Sequence, residues 1–307
     1  MAFKILLWDI DGTILNFEKA EEAAIRRGFE ENGLGTCTDE MLEDYKKINK
    51  KYWEALERGE MTKEQILIGR FVDFFTKYGL DTTKADAFNR GYQVNLGDTI
   101  CFNDDAYNLL KAFSKKYRQY AVTNGTAIAQ HKKIEKSGIG EILEKCFISE
   151  EVGFEKPSEK FFDAVFKEIG CGDCVGNSDA NEKNEVANTG ILETHNNTIN
   201  KNEILIIGDS LTSDIKGGNI CGIRTCWYNP NHEDNKHELK IDYEISDLRE
   251  LLQNLYGGKF LFNSTNNGCP LLYYTTKNKD IYFRKTKFQQ FRGSYHILYT
   301  LFTANYP

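Results

Sequence analysis

With 307 residues, 40% of them hydrophobic, the chain is long enough for a sizeable core and roughly two domains. Its formal net charge of −7 argues against general binding to nucleic acid or to an anionic membrane surface, so an anionic substrate must be drawn in locally by a metal ion or a few placed cations. No apolar run nears the ~18 residues that cross a bilayer, and Asp9 and Asp11 break the N-terminal apolar stretch too early for a signal-peptide core; the expectation is a cytoplasmic protein whose eight cysteines are reduced.

Phe3 to Trp8 reads as a buried strand that delivers Asp9-Ile10-Asp11-Gly12-Thr13 at its C-terminal end. From about 16 to 96 the spacing turns helical, as in Ile66, Phe71, Phe74 and Phe75, with no convincing strand. That stretch is expected to be a helical insert. From Cys101 onward strands and helices alternate. Leu109, Leu110 and Phe113 mark a helix, Tyr120 to Thr123 a strand, about Ala127 to Ser137 a helix and Cys146 to Ser149 a short strand. A helix carrying Phe161, Phe162, Val165, Phe166 and Ile169 follows Lys156-Pro157. Ile204 to Ile207 and Ile223 to Trp227 are the next strands, and the last unit pairs a strand at Tyr243 to Ile245 with a helix at Leu248 to Leu255. Such alternation implies an α/β fold, a Rossmann-like parallel sheet covered on both faces, with ligands bound beyond the carboxyl ends of its strands.

Two segments fall outside this pattern. Residues 171–202 are rich in Asn, Glu, Thr and Gly and read as a polar loop insertion. Residues 257–307 carry seven Lys or Arg against the single acid Asp280, together with twelve Phe or Tyr. Without a base-stacking motif, that basic aromatic tail is expected to be a disordered extension or a segment foreign to the natural protein rather than a nucleic-acid binder. Cys171-x-x-Cys174 has metal or redox spacing, but no second pair follows and His195 sits in the polar loop, so plain surface thiols are expected.

Three strands end in polar motifs. In Asp9-x-Asp11-Gly12-Thr13, Gly12 permits a turn that separates the two carboxylates, leaving Asp9 to attack phosphorus and share a cation and Asp11 to hold a proton near the leaving oxygen. An Asp-rich turn or helix cap would have the same composition. Gly208-Asp209-Ser210-x3-Asp214 offers hard oxygen ligands suited to Mg²⁺ rather than zinc, or else caps a helix through Ser213 or Asp214. Thr123-Asn124-Gly125 offers a hydroxyl, an amide and a backbone N–H to phosphate oxygens, and Lys156 a positive charge.

In order and context this set resembles the four motifs of the haloacid dehalogenase superfamily of aspartate-nucleophile phosphatases. The resemblance implies Asp9 as nucleophile, Asp11 as general acid/base, and Thr123, Asn124, Gly125 and Lys156 around the phosphoryl group. It also implies Mg²⁺ as cofactor, held at Asp9, Asp11, Asp209 and Asp214. Thr123-Asn124-Gly125, the stretch Gly208 to Gly218 and Thr225 to Pro230 look like the YjjG-type pyrimidine 5′-nucleotidases, and Trp53 through Gly59-Glu60-Met61-Thr62 to Arg70-Phe71 is similar to their helical cap. The resemblance covers about residues 1–256 except the loop at 171–202.

The domains expected are therefore a catalytic core at 1–15 and 97–256, a helical cap at 16–96 and the tail at 257–307. The expected activity is hydrolysis of a phosphate monoester, with a pyrimidine nucleoside monophosphate as the small-molecule partner and Phe17, Trp53 and Arg70 contacting the base. The alternatives are a phosphoglycolate or sugar-phosphate phosphatase, a phosphomutase, and an inactive binding scaffold.

Overall fold

Strand β1 (Ile5–Trp8) is fully buried and sits in the middle of a six-stranded sheet. Its side chains alternate between faces, as the period of an extended chain requires. Leu6 and Trp8 pack with Leu109, Leu110, Phe113, Leu248 and Leu251 on one side. Ile5 and Leu7 pack with Phe161, Phe162, Val165 and Phe166 on the other. A strand buried on both faces carries no polar residue, which is why ILLW reads as an unbroken apolar run. The computed structural model describes residues 3–171 and 199–256 with their side chains, except that of Tyr256. Strands at 259–264, 270–275, 280–291 and 294–304 are described by their backbone.

Between β1 and the next strand stand four long helices, α1 (Phe17–Glu31), α2 (Asp39–Glu57), α3 (Lys63–Lys77) and α4 (Ala85–Leu96). Asn16, Thr38 and Thr62 cap the first three, each side-chain oxygen accepting a backbone N–H of the first turn, and Gln65 completes a capping box with Thr62. The apolar stripes of these helices meet in a separate cluster of Ala24, Phe29, Tyr45, Phe71, Phe74, Phe88 and Tyr92. Tyr45 and Phe71 stack with ring centroids 5.2 Å apart. This is the cap. Its cluster also takes in Ala129 of a core helix, so the two hydrophobic units touch.

The core resumes with α5 (Ala106–Phe113), β2 (Arg118–Thr123), α6 (Ala127–Ser137), β3 (Lys145–Ile148), α7 (Ser149–Val152) and α8 (Glu159–Ile169). It continues through β4 (Ile204–Gly208), a single π-type turn (Leu211–Ile215), α9 (Lys216–Cys221), β5 (Arg224–Tyr228), β6 (Tyr243–Ile245) and α10 (Glu250–Tyr256). The strand order is β3-β2-β1-β4-β5-β6 and every neighbouring pair is parallel. The chain builds outward from β1 to one side and then returns to its other side, so the topological switch lies between β1 and β4. The α/β parallel sheet expected from the alternation is the fold observed.

Of the two expectations for the tail, a disordered extension or a foreign segment, the backbone corrects the first. Strands β7 (Lys259–Ser264), β8 (Pro270–Thr275), β9 (Asp280–Phe291) and β10 (Ser294–Ala304) form an antiparallel sheet in the order β10-β9-β8-β7. The dense Phe and Tyr content that defied assignment to the α/β pattern favours strands. Most of the polar insertion at 171–202, with Cys174 and His195, lies outside the described residues.

Among the described residues the six parallel strands pair only with one another, and the clusters on their two faces draw on residues no later than Leu255. A chain ending at Gly258 is therefore expected to keep the melting temperature and far-UV signature of its α/β core. A cooperative transition lost or shifted down by more than about 5 °C, on the order of 1 kcal/mol or more for a domain of this size, would show that the tail packs on it.

Candidate active site

Asp9 follows β1 directly, and its N–H still donates to the Ile207 carbonyl at 2.9 Å, one step beyond the last paired residue. Because Trp8 lies opposite Ile207 in the parallel register, the strand-end carboxylates Asp9 and Asp209 emerge at the same edge of the sheet. Gly12, at φ +98°, turns the chain back over them; a β-carbon there would collide with the Asp209 carboxyl group. Buried Thr13 donates to Asp209 Oδ1 at 3.1 Å, and the Trp227 indole N–H donates to the Asp209 carbonyl at 2.9 Å.

Asp214 sits in the π-type turn, where its Oδ2 accepts the Ser210 N–H at 3.2 Å. Ser210, rather than Ser213 or Asp214, caps this turn by accepting the Ser213 N–H. Single oxygens of Asp9, Asp209 and Asp214 lie within 4.8 Å of one another. The ammonium of Lys156, 1% exposed, joins them, donating to Asp9 Oδ1 at 2.8 Å, to Asp214 Oδ1 at 2.6 Å and to the Val122 carbonyl at 2.8 Å.

Three carboxylates facing one ammonium leave this site strongly negative. Burial, with the Asp214 and Asp209 charges, pushes the Asp9 carboxyl well above its ordinary range despite the opposing pull of Lys156. Burial, followed by the Asp214 charge, raises Asp209 to about 7. Desolvation works against the Lys156 charge, but Asp214 and Asp9 outweigh it and hold the lysine above its usual value. Asp9 Oδ2 is buried and has no hydrogen-bond partner. An orphaned carboxylate oxygen beside two further carboxylates, with oxygen donors only, fits a hard divalent cation such as Mg²⁺.

The other residues singled out in the sequence divide between the site and its surroundings. Thr123, 1% exposed at the end of β2, accepts the Gly125 N–H at 3.1 Å. Asn124, expected beside the phosphoryl group, bonds the chain at Lys156. It grips the Lys156 backbone from both sides, donating to its carbonyl at 2.9 Å and accepting its N–H at 2.8 Å. The Asp11 carboxylate is not one of the three whose oxygens lie within 4.8 Å of one another. Its Oδ2 accepts the Gln130 amide at 2.7 Å and its Oδ1 pairs with Lys133, both on α6.

In the cap, Phe17 opens α1 with its ring 5.5 Å from Lys133 Nζ. Arg70 is not free to reach a substrate edge. It is 1% exposed inside the cap, donating to Asn49 at 2.6 Å and Asn89 at 3.1 Å, with Trp53 6.0 Å from its guanidinium. A buried guanidinium needs such partners, and helices α2 and α4 bring them to it.

Several bonds join cap to core, three of them through side chains near the strand ends. The Thr212 hydroxyl donates to Glu57 at the end of α2, and burial raises that carboxyl to about 7. Lys63 donates to Ser149 Oγ at 2.6 Å, and Thr126 to Gln93 Oε1 at 2.7 Å. Within its motif Thr13 has no role assigned by the sequence. Glu57, Lys63, Gln130 and Lys133 are polar residues at unremarkable spacing, and only the packing reveals them as buried or paired.

Replacing Asn124 by Ala removes both bonds that fix the Lys156 loop. The expected result is a loss of about 1–3 kcal/mol in unfolding free energy. Asn124→Asp, which keeps only the acceptor, is expected to fall between the wild type and Asn124→Ala in chemical denaturation. Unchanged midpoints in both variants would show that the clamp does not hold the loop.

The haloacid dehalogenase-like hydrolase family matches residues 3–222 of the chain. YfnB of Bacillus subtilis is 33% identical over 249 residues, 81% of this chain and 94% of that protein. A crystal structure of YfnB bound to magnesium superimposes with a TM-score of 0.71 at 32% identity, covering 83% of this chain and 99% of that one. The pyrimidine 5′-nucleotidase PynA of Streptococcus pneumoniae is 30% identical across 83% of this chain and 96% of its own length. The pyrimidine 5′-nucleotidase YjjG of Escherichia coli is 27% identical across 83% and 99%. With its parallel sheet, its inserted cap and its strand-end carboxylates, the chain belongs to the haloacid dehalogenase-like hydrolase family.

Proposed function

We propose that this protein is a Mg²⁺-dependent phosphatase that transfers the phosphoryl group of a phosphate monoester to Asp9, and that its substrates are pyrimidine nucleoside 5′-monophosphates. The observation that carries the chemistry is the buried Asp9–Lys156–Asp214 bridge with Asp209 alongside and Asp9 Oδ2 left without a partner.

Asp9, Asp209 and Asp214 would hold the cation, which supplies charge neutralisation for the phosphoryl oxygens when bound. Lys156 holds one oxygen of Asp9, fixing the carboxylate and leaving the other without a partner. Thr123 and the backbone of Gly125, at the end of the neighbouring strand, line the same edge and suit phosphate oxygens. Asp9 displaces the alcohol from phosphorus while Asp11 protonates the departing oxygen. Asp11 then takes a proton from the water that hydrolyses the aspartyl phosphate. The cap, bonded to the core through Glu57, Lys63 and Gln93, shields these steps from bulk water.

Support for the nucleotide assignment comes from PynA and YjjG, which match across nearly their whole length. Phe17 and Trp53 remain the aromatic candidates for the face of a base; Arg70, committed to Asn49 and Asn89, acts as the support beneath Trp53 rather than as an edge contact.

Asp9→Asn and treatment with EDTA are each expected to remove turnover of a phosphate monoester, and added Mg²⁺ to restore it only in the EDTA-treated wild type. Normal activity in either case would overturn the mechanism. In a side-by-side comparison, kcat/KM for dUMP, dTMP and UMP is expected to exceed that for glyceraldehyde 3-phosphate, phosphoglycolate and glucose phosphates. The reverse order would sink the nucleotidase assignment and leave the phosphatase standing.

A further inference from the structure

Helix α6 presents a stripe of polar residues that the mechanism above leaves unused. Gln130 and Lys133, three residues apart and so on one face, are 0% and 1% exposed. They approach the same carboxylate from one side, Gln130 Nε2 donating to Asp11 Oδ2 at 2.7 Å and Lys133 Nζ to Asp11 Oδ1. The Asp11 side chain stays 20% exposed while that of Lys133 is 1% exposed, so the pair reaches solvent through its carboxylate.

Two further contacts make this a built arrangement. Gly125 of the strand-end loop leaves no room for a side chain, since a β-carbon there would collide with the Gln130 amide. The Phe17 ring, from the first turn of the cap, lies 5.5 Å from the Lys133 ammonium. Loop, helix and cap therefore converge on one carboxylate. A buried ammonium with that carboxylate partner is costly to maintain.

We propose that Lys133 and Gln130 are the positioning residues of the acid: their bonds to the two oxygens of Asp11 fix its carboxyl group for proton transfer to the leaving oxygen. The inference rests on the reading of Asp11 as the acid. It assigns roles to two side chains outside the strand-end motifs.

The consequence separates substrates by leaving group. An alkyl phosphate such as a nucleoside monophosphate expels an alkoxide that must be protonated, whereas p-nitrophenyl phosphate expels a stable phenolate that need not be. Because kcat/KM reports steps only through phosphoryl transfer to Asp9, it isolates the acid. Lys133→Met is expected to lower kcat/KM for the best nucleoside monophosphate by about 10²-fold, in the range of general-acid contributions, and for p-nitrophenyl phosphate by no more than about threefold. Lys133→Arg, which restores a cationic donor, is expected to recover most of the loss. Gln130→Met, which leaves the charge in place, is expected to show the same selectivity at about 10-fold, and it carries the test if Lys133→Met does not fold.

Equal losses on both substrates would mean a merely structural role and would overturn the proposal, as would no loss on either. Asp11→Asn separates the two levels of failure. If it shows the leaving-group selectivity and the Lys133 and Gln130 variants do not, the positioning claim fails alone. If wild type hydrolyses neither substrate with Mg²⁺, the phosphatase reading fails and the positioning claim with it.

Discussion

One buried ammonium sets the terms for the rest of this molecule. Lys156 bridges Asp9 after β1 and Asp214 in the turn after β4, the two central strands of the sheet. Without it, carboxylates from adjacent strand ends would face one another in a desolvated cleft, where neither stays ionised cheaply. Even with it the cluster is short of positive charge, three carboxylates to one ammonium, and that shortage adds to burial in displacing Asp9 and Asp209 upward. That shortage makes the same residues fit a divalent cation and a phosphoryl group. The site is stable enough to exist and incomplete enough to bind.

Holding the lysine in place occupies much of its neighbourhood. Asn124 bonds the Lys156 backbone through both its amide nitrogen and its amide oxygen, and Val122 gives its carbonyl to the ammonium. Gly12 is forced by the proximity of Asp209 as much as by its positive φ. These residues build the geometry that others use. Their motif positions make them look like ligand contacts, yet the structure gives several of them supporting work.

The cap is organised around a second buried polar system. Glu21 accepts from Asn49, Asn49 from Arg70, Asn89 from Arg70 and Gln93, and Gln93 from Thr126 at the start of α6. Four cap helices and one core helix thus share a continuous set of bonds within an otherwise apolar interior. Buried networks of this kind are costly when any member is unpaired, so they fix a single arrangement of the elements that carry them. Here the fixed element is α6, whose next turns hold Asp11.

The sequence alone was enough for the α/β alternation, the helical insert and the strand-end carboxylates. Runs such as ILLW and ILII can only be strands buried on both faces, and the turns that follow them must lie at one edge of a parallel sheet. Local pattern could not tell that Asn124 serves Lys156, that Arg70 is sealed inside the cap, or that Gln130 and Lys133 belong to Asp11. A polar residue on a helix has the same spacing whether it faces water or a partner more than a hundred residues away. It could not place the tail either, whose strands form a sheet separate from the parallel one. Strand direction and burial follow from the chemistry of neighbours along the chain. Which charge answers which is decided only when the fold excludes water and leaves each buried group with the partners that remain within reach.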